Sequence, residues 1–221
     1  MPEEDMMSES AIRSGLRTRL LGRTVFLYTE TESTNGVAAE LAARGAPEGT
    51  LVVAEMQTKG RGGGGLPWDS PKSMGIWASL VLKPHIAPTD TGYITLLVGK
   101  SIVEAIRRRT GLEAAVRWPN DVLIDGKKVC GVLTEARLCR QGLRYVVAGF
   151  GVNVLQTQRQ FPVELRDRAT SLYVASGRKH SRVALLQEIL VQIERRYRAL
   201  GKGTDPGAAG SEFDLAKPAT N

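Results

Sequence analysis

Gly60-Arg61-Gly62-Gly63-Gly64-Gly65-Leu66-Pro67-Trp68, with Arg117-Trp118-Pro119-Asn120-Asp121 downstream, are the segments on which the reading of this chain turns. Four consecutive glycines forfeit backbone order, so a globular chain keeps them where something must approach the backbone closely. Arg61 offers a planar guanidinium to an anion, and Trp68 offers a flat surface to a ring. A glycine run standing alone is usually a linker. The second segment argues otherwise. Its X-Pro step biases Trp118 to extended backbone, and Asn120 and Asp121 then enter a strand, where polar pairs are poorly tolerated without function.

Working outward, 221 residues suffice for one domain with a substantial core. An apolar content of 42% with 24% charged residues is ordinary for a soluble globular chain. The formal charge of +7 admits acidic partners such as ATP, an acidic protein surface or nucleic acid. The basic residues are spread along the chain with few aromatics among them, which disfavours an open nucleic-acid footprint. Cys130 and Cys139 are too few for a disulfide framework, and with two histidines they make no zinc cluster. A reduced, cytoplasmic setting is expected. Met1 to Ser10 is polar and acidic rather than a signal peptide, and no apolar run reaches membrane-spanning length.

Apolar periodicity predicts alternating elements. A short basic helix is expected over 13–21 and a strand over 25–28. Ser33-Thr34-Asn35 offers capping oxygens to a helix that buries Val37, Leu41 and Ala42 and stops near Gly45. Strands are expected over 50–55, 75–83, 114–118, 122–124, 128–136 and 143–154, with Asp125-Gly126 as a two-residue hairpin turn. Long helices are expected over 91–109, with Ile94, Leu97, Val98, Ile102 and Ile106 on one face, and over 185–200. Consecutive strands with helices alongside predict an α+β fold, a mixed and largely antiparallel sheet with flanking helices. The segment 203–221 reads as a disordered tail or a cloning-junction scar.

Ser33, Thr34 and Asn35 are small polar groups suited to surrounding a neutral polar ligand, although helix capping is the commoner job for any one of them. Gln57 lies just before the glycine loop. Arg61 and Lys128 are candidate partners for phosphate or carboxylate, against the commoner solvated surface charge. Asn153, after Gly149-Phe150-Gly151, is a polar residue ending a glycine-marked strand. Gly99-Lys100-Ser101 looks like the end of a phosphate-binding loop but lacks the earlier glycine and sits inside the long helix.

These motifs in this order, together with Lys127-Lys128-Val129-Cys130-Gly131-Val132-Leu133-Thr134-Glu135, resemble biotin protein ligases over roughly residues 15 to 200. The resemblance implies a catalytic core similar to class II aminoacyl-tRNA synthetases, over residues 1–202. It implies formation of biotinyl-5′-AMP from biotin and ATP, with Mg²⁺ carried mostly by phosphates. Transfer to a lysine of a carboxyl-carrier protein would follow. Ser33, Thr34, Asn35 and Gln57 would then surround the ureido ring, with Gly131, Gly149 and Gly151 in the ligand pocket. Gly60, Arg61, Gly62 and Gly63 would lie around the carboxylate and adenylate phosphate, and Trp68 near the adenine. Lys128 would neutralise charge in the transfer, Asn120 and Asn153 would contact the nucleotide, and Asp121 would orient the acceptor lysine. The resemblance also admits a homodimer.

The family loop usually reads Gly-Arg-Gly-Arg-x-Gly-Arg, whereas Gly63 and Leu66 stand at its second and third arginine positions. Arg117 replaces the usual lysine. The altered loop resembles that of promiscuous proximity-labelling variants, which implies a leaky adenylate and indiscriminate labelling of protein lysines. Room for the DNA-binding helix-turn-helix and the following β-barrel of other members is lacking, so no operator binding and no membrane association are expected. The alternatives are a lipoate or octanoate ligase or transferase of the same superfamily, and a biotin-binding module with little turnover.

Overall fold

A computed structural model describes residues 7–140 and 142–200; the expected tail over 203–221 lies outside the described residues. Seven strands form one sheet: β1 (Val25–Tyr28), β2 (Leu51–Ala54), β3 (Gly75–Leu82), β4 (Ala115–Arg117), β5 (Asp121–Ile124), β6 (Lys127–Cys139) and β7 (Gly142–Asn153). Their spatial order is β1-β2-β3-β7-β6-β5-β4. Only β1 and β2 run parallel; the other five pairings are antiparallel. The α+β expectation is thus met. Asp125 and Gly126 adopt φ of 48° and 74° between β5 and β6, the left-handed pair that a tight hairpin turn demands.

The helices are α1 (Glu9–Ser14), α2 (Thr34–Ala43), α3 (Gly92–Thr110), α4 (Leu172–Ser176) and α5 (Arg182–Leu200). Alternation along β3 sorts the two faces of the sheet. Ile76, Ala78, Leu80 and Leu82 point into the main core, where α3 and α5 contribute Ile94, Leu97, Ile102, Leu186 and Ile189. Val81 points to the opposite face, where Val52 and Val147 pack under Ala38 and Ala42 of α2 in a smaller cluster. Strand β3 is buried along its whole length because helices cover both sides. Helix α3 buries all five residues expected of it and stops at Gly111, whose φ of 75° closes the helix. In α2 the burial falls on Ala38 and Ala42 rather than on Val37 and Leu41.

The first helix corrects the sequence expectation. It begins earlier, with Ser8 Oγ accepting from Ala11 N, and ends at Gly15. Most of the basic stretch expected to be helical instead wraps over α5. Glu194 of that helix accepts from the amides of Arg19, Leu20 and Leu21 at 2.7, 2.8 and 2.9 Å. Short α4, capped by Ser171, was not expected at all. Among buried charges, Arg182 at the start of α5 pairs with Glu55 at 2.6 Å and donates to Gly75 O at 3.4 Å. It thereby ties together the two roots of the glycine loop.

Burial alone would raise the Glu194 carboxyl, but the amides of Arg19, Leu21 and Leu20 outweigh it and hold the group below its ordinary 4.5. With the folded value lowered, the stabilisation is complete above the ordinary carboxylate range and is lost as pH falls through the folded value. Glu194→Gln is expected to cost about 2 kcal/mol near neutrality, since hydrogen bonds to a charged group are involved. It should also flatten the acid limb of the stability curve, which urea unfolding across the acidic range will measure.

Candidate active site

The face of the sheet that carries α2 is stripped of bulk beyond the helix. Ser79 pairs with Gly149, which pairs with Leu133; Trp77 pairs with Gly151, which pairs with Gly131. These neighbours make a floor three strands wide, open where a Cβ would stand. A methyl on Gly149 would lie 1.9 Å from Asn35 Oδ1, and one on Gly151 would lie 2.3 Å from Trp68 Nε1. One on Gly131 would meet the Trp68 ring at 2.9 Å. The close approach expected at the four-glycine run is found instead at these three strand glycines, whereas a Cβ at Gly64 or Gly65 would meet nothing within 4 Å.

The first turn of α2 stands over this floor. Ser33 makes no capping bond; instead Gln57 Oε1 accepts from Thr34 N at 2.9 Å and Thr34 Oγ1 at 3.1 Å. The capping expected of Ser33 is thus done by Gln57, 23 positions beyond Thr34, leaving Ser33 at the cavity wall. Gln57 Nε2 donates to Ser70 Oγ at 2.8 Å, and Ser70 Oγ to Trp68 O at 3.2 Å. Asn35 Nδ2 donates to Glu135 Oε2 at 2.6 Å and to Leu133 O at 3.3 Å, so its carbonyl faces Ser79 Oγ at 2.6 Å.

Three oxygen–oxygen contacts run from Gln57 Oε1 to Thr34 Oγ1, on to Ser79 Oγ and then to Asn35 Oδ1. The hydroxyls of Thr34 and Ser79 bring one proton each, and the Thr34 amide brings another to Gln57 Oε1. The buried floor thus has just enough donors of its own and is rich in acceptor oxygens.

The charged side of the cavity is built from the two signature segments. Arg61 reaches Glu135 at 3.0 Å. Lys128 Nζ lies 2.6 Å from Asp121 Oδ1 and 5.2 Å from the centre of the Trp68 ring. Arg117 holds the other Asp121 oxygen at 2.6 Å. Asp121 is thus bonded to two cations rather than standing free for an incoming amine. The glycine loop closes as a small hairpin: Gly62 N donates to Leu66 O at 2.7 Å and Trp68 N to Gly60 O at 2.8 Å. Gly62 consequently has no amide left over for a ligand. Gly64 and Gly65 take φ of 68° and 78°, which favours glycine at both.

Two adjoining cavities result. The first is lined by Ser33, Thr34, Asn35, Gln57, Arg61 and the three floor glycines, with Gly62, Gly63, Trp68, Asn120 and Lys128 at its border. The second, which is larger, shares Gly62, Gly63, Trp68 and Lys128 with it and adds Arg117, Asp121, Asn153, Phe161 and Arg168. Gly60 lies behind the wall, against Trp68 O and Ser70. Asn153 borders the second cavity only, and its amide is engaged at both ends by Thr170 O and Gln156. The Trp68 indole lies across Gly131 and Gly151, the first cavity's floor, with its buried Nε1 unpartnered.

Sequence reasoning missed Ser79, Ser70 and Glu135. Ser79 had a signal, a hydroxyl in the middle of an otherwise apolar strand; the other two are recognisable only through long-range contacts. Gly99-Lys100-Ser101 lies inside α3, with Ser101 bonded to Leu97 O, as expected. Burial pushes the Cys130 thiol up, so this cysteine acts as a core hydrophobe. Among the described residues, no three His, Cys, Asp or Glu side chains come together to hold a metal, and no helix is long and apolar enough to cross a membrane.

The sheet with its flanking helices, and the paired cavities at its glycine-lined face, define a small-molecule-binding α+β domain. Residues 27–153 match the model of the Biotin/lipoate A/B protein ligase family, and the chain belongs to that family. It is 44% identical over 192 residues to the bifunctional ligase/repressor BirA of Bacillus subtilis, covering 87% of this chain and 59% of that protein. It is 29% identical over 206 residues to the biotin–[acetyl-CoA-carboxylase] ligase of Mycobacterium tuberculosis, covering 89% of this chain and 74% of that one. The biotin protein ligase of Aquifex aeolicus, solved in complex with biotin and ATP, superposes with a TM-score of 0.69 at 32% identity, covering 82% and 73% of the two chains.

Gly149→Ala is the sharpest test of the floor. The new methyl must displace Asn35, so the variant is expected to lose at least tenfold in ligand affinity, as removal of a packed contact of about 1.4 kcal/mol would. Thermal unfolding alongside isothermal titration with biotin will separate this from global unfolding.

Proposed function

We propose that this chain is an ATP-dependent biotin ligase. It forms biotinyl-5′-AMP and passes the biotinyl group to lysines of a carboxyl-carrier protein or, through leakage, of other proteins. The observation that carries the reading is the acceptor-rich floor around Thr34, Ser79 and Asn35. A ureido ring brings two N–H donors that acceptor lone pairs there can take. The dithiolane of lipoate and the alkyl chain of octanoate bring none, which disfavours those alternatives.

The second cavity fits the nucleotide. Phe161 and the Trp68 edge offer apolar surface to a purine, and Arg117, Lys128 and Arg168 offer positive charge to phosphates. The acidic groups present do not form a protein cage, so the residues fit Mg²⁺ held by phosphate oxygens. In the first step the biotin carboxylate attacks the α-phosphorus and pyrophosphate leaves. Lys128, oriented by Asp121, supplies positive charge where negative charge accumulates, the electrostatic term expected to dominate. In the second step a neutral lysine amine attacks the acyl carbonyl and AMP departs.

Incubation with labelled ATP and biotin should yield the adenylate and pyrophosphate, and lipoate with ATP should not. Lys128→Ala should slow adenylate formation at least tenfold, the effect of losing about 1.4 kcal/mol of transition-state stabilisation. Well-folded, biotin-saturated protein that forms no adenylate would leave only the binding-module alternative.

Leakage rests on the loop. With Gly63 and Leu66 at positions where the family carries arginine, charge-assisted hydrogen bonds to the bound anion are missing. Each is worth about 1.5–3 kcal/mol, enough to raise dissociation tens-fold. A Cβ at Gly63 would meet only the end of the Asn120 amide, at 2.8 Å, so an arginine fits there once that side chain swings away. With biotin, ATP and serum albumin, the chain should label the albumin, and Gly63→Arg should cut that labelling sharply. Labelling unchanged by the arginine would refute the leakage.

A further inference from the structure

Glu135 stands on β6 bonded to two side chains that line the first cavity, Asn35 and Arg61, and the chemistry derived above makes no use of it. A single oxygen, Oε2, accepts from Asn35 Nδ2 at 2.6 Å and from Arg61 Nη2 at 3.0 Å. The donors come from different elements, the first turn of α2 and the glycine loop. Resting on the biotin-ligase reading, we propose that Glu135 is a positioning residue with two jobs. It holds the Asn35 amide with its carbonyl toward Ser79 beneath the cavity floor, and it sets how much positive charge Arg61 presents to a bound anion.

The first job follows from the acceptor-rich floor. The two ends of an amide are nearly isosteric, and hydrogen bonds alone decide which way it points. The Glu135 carboxylate can only accept when ionised, so it selects Nδ2 and turns Oδ1 toward Ser79. Without it, Leu133 O at 3.3 Å and the Ser79 hydroxyl at 2.6 Å, which can reorient, oppose rotation. A rotated Asn35 would present N–H donors where its carbonyl now stands and so remove an acceptor from the floor that a ureido N–H is proposed to meet. The second job follows from charge. The Arg61 and Glu135 side chains are 49% and 39% exposed, so theirs is a weak pair that a ligand carboxylate or phosphate can displace at modest cost.

The two jobs have opposite signs, which makes them separable. Glu135→Gln keeps an oxygen to accept from Asn35 but removes the charge that competes for Arg61. Biotin affinity should stay within about twofold, and the adenylate should dissociate about two- to fivefold more slowly, the span of an exposed ion pair. Glu135→Ala removes the anchor as well, and biotin should bind about tenfold more weakly, as for loss of a hydrogen bond to a charged group. Isothermal titration with biotin, and release of pre-formed radiolabelled biotinyl-5′-AMP into excess unlabelled biotin and ATP, read these quantities; thermal unfolding confirms that each variant is folded. A merely structural glutamate would lower the melting temperature of both variants and shift both ligand readouts in one direction. Alanine-variant affinity equal to that of the unsubstituted chain, or glutamine-variant release as fast as that chain's, overturns the proposal. An unsubstituted chain that fails to bind biotin refutes the proposed function itself, before any variant is compared.

Discussion

The approach of Asn35 to the backbone of Gly149 is the contact on which the rest of the site depends. It exists only because position 149 has no side chain: any Cβ there would coincide with the asparagine oxygen. That closeness seats the start of α2 directly on the sheet. It brings Thr34 and Asn35 to Ser79, lets Gln57 cap the helix, and fixes the depth of the cavity beside them. Interiors are packed densely enough that one methyl group is felt, so the geometry tolerates little variation.

From that contact the polar groups form one connected path. It runs from Arg61 through Glu135, Asn35, Ser79, Thr34, Gln57 and Ser70 to the Trp68 carbonyl. Both ends lie in the glycine loop, and the middle is the floor of the cavity. Electrostatics divide along the same line: neutral acceptors deep in the first cavity, cations toward the second. A ligand with a neutral polar head and an anionic tail matches this polarity end to end. The loop and the pocket are thus parts of one hydrogen-bonded unit rather than a lid placed over a bowl.

The strands and long helices were legible in the sequence because burial imposes periods of two and about 3.6 that turns and glycine stops interrupt. The first helix was misplaced because a basic, leucine-containing stretch mimics an amphipathic pattern, whereas Glu194, far along the chain, collects its amides instead. Most site residues were legible as polar groups set among glycines. Their division of labour was not. Capping by Gln57 in place of Ser33 is a tertiary fact, while the engagement of Asp121 by two cations and the closure of the Gly62 amide onto Leu66 depend on the exact local turn geometry that residue types alone do not specify. Trp68, expected beside a nucleotide base, rests on Gly131 and Gly151 and also borders the second cavity.

Arg182 reaches from α5 to Glu55, just after β2, and to Gly75, the first residue of β3, so it joins the two strands between which the glycine loop runs. With both roots fastened to the main core, the residues between them are insulated from the stability of the sheet. The loop behaves as an exchangeable cartridge. Its side chains can change at positions such as 63 and 66, altering how a ligand is held, whereas Gly64 and Gly65 keep the positive φ that favours glycine. A fold organised this way separates the sequence that makes it stand from the sequence that makes it selective, and variation in the second is tolerated because the first is clamped.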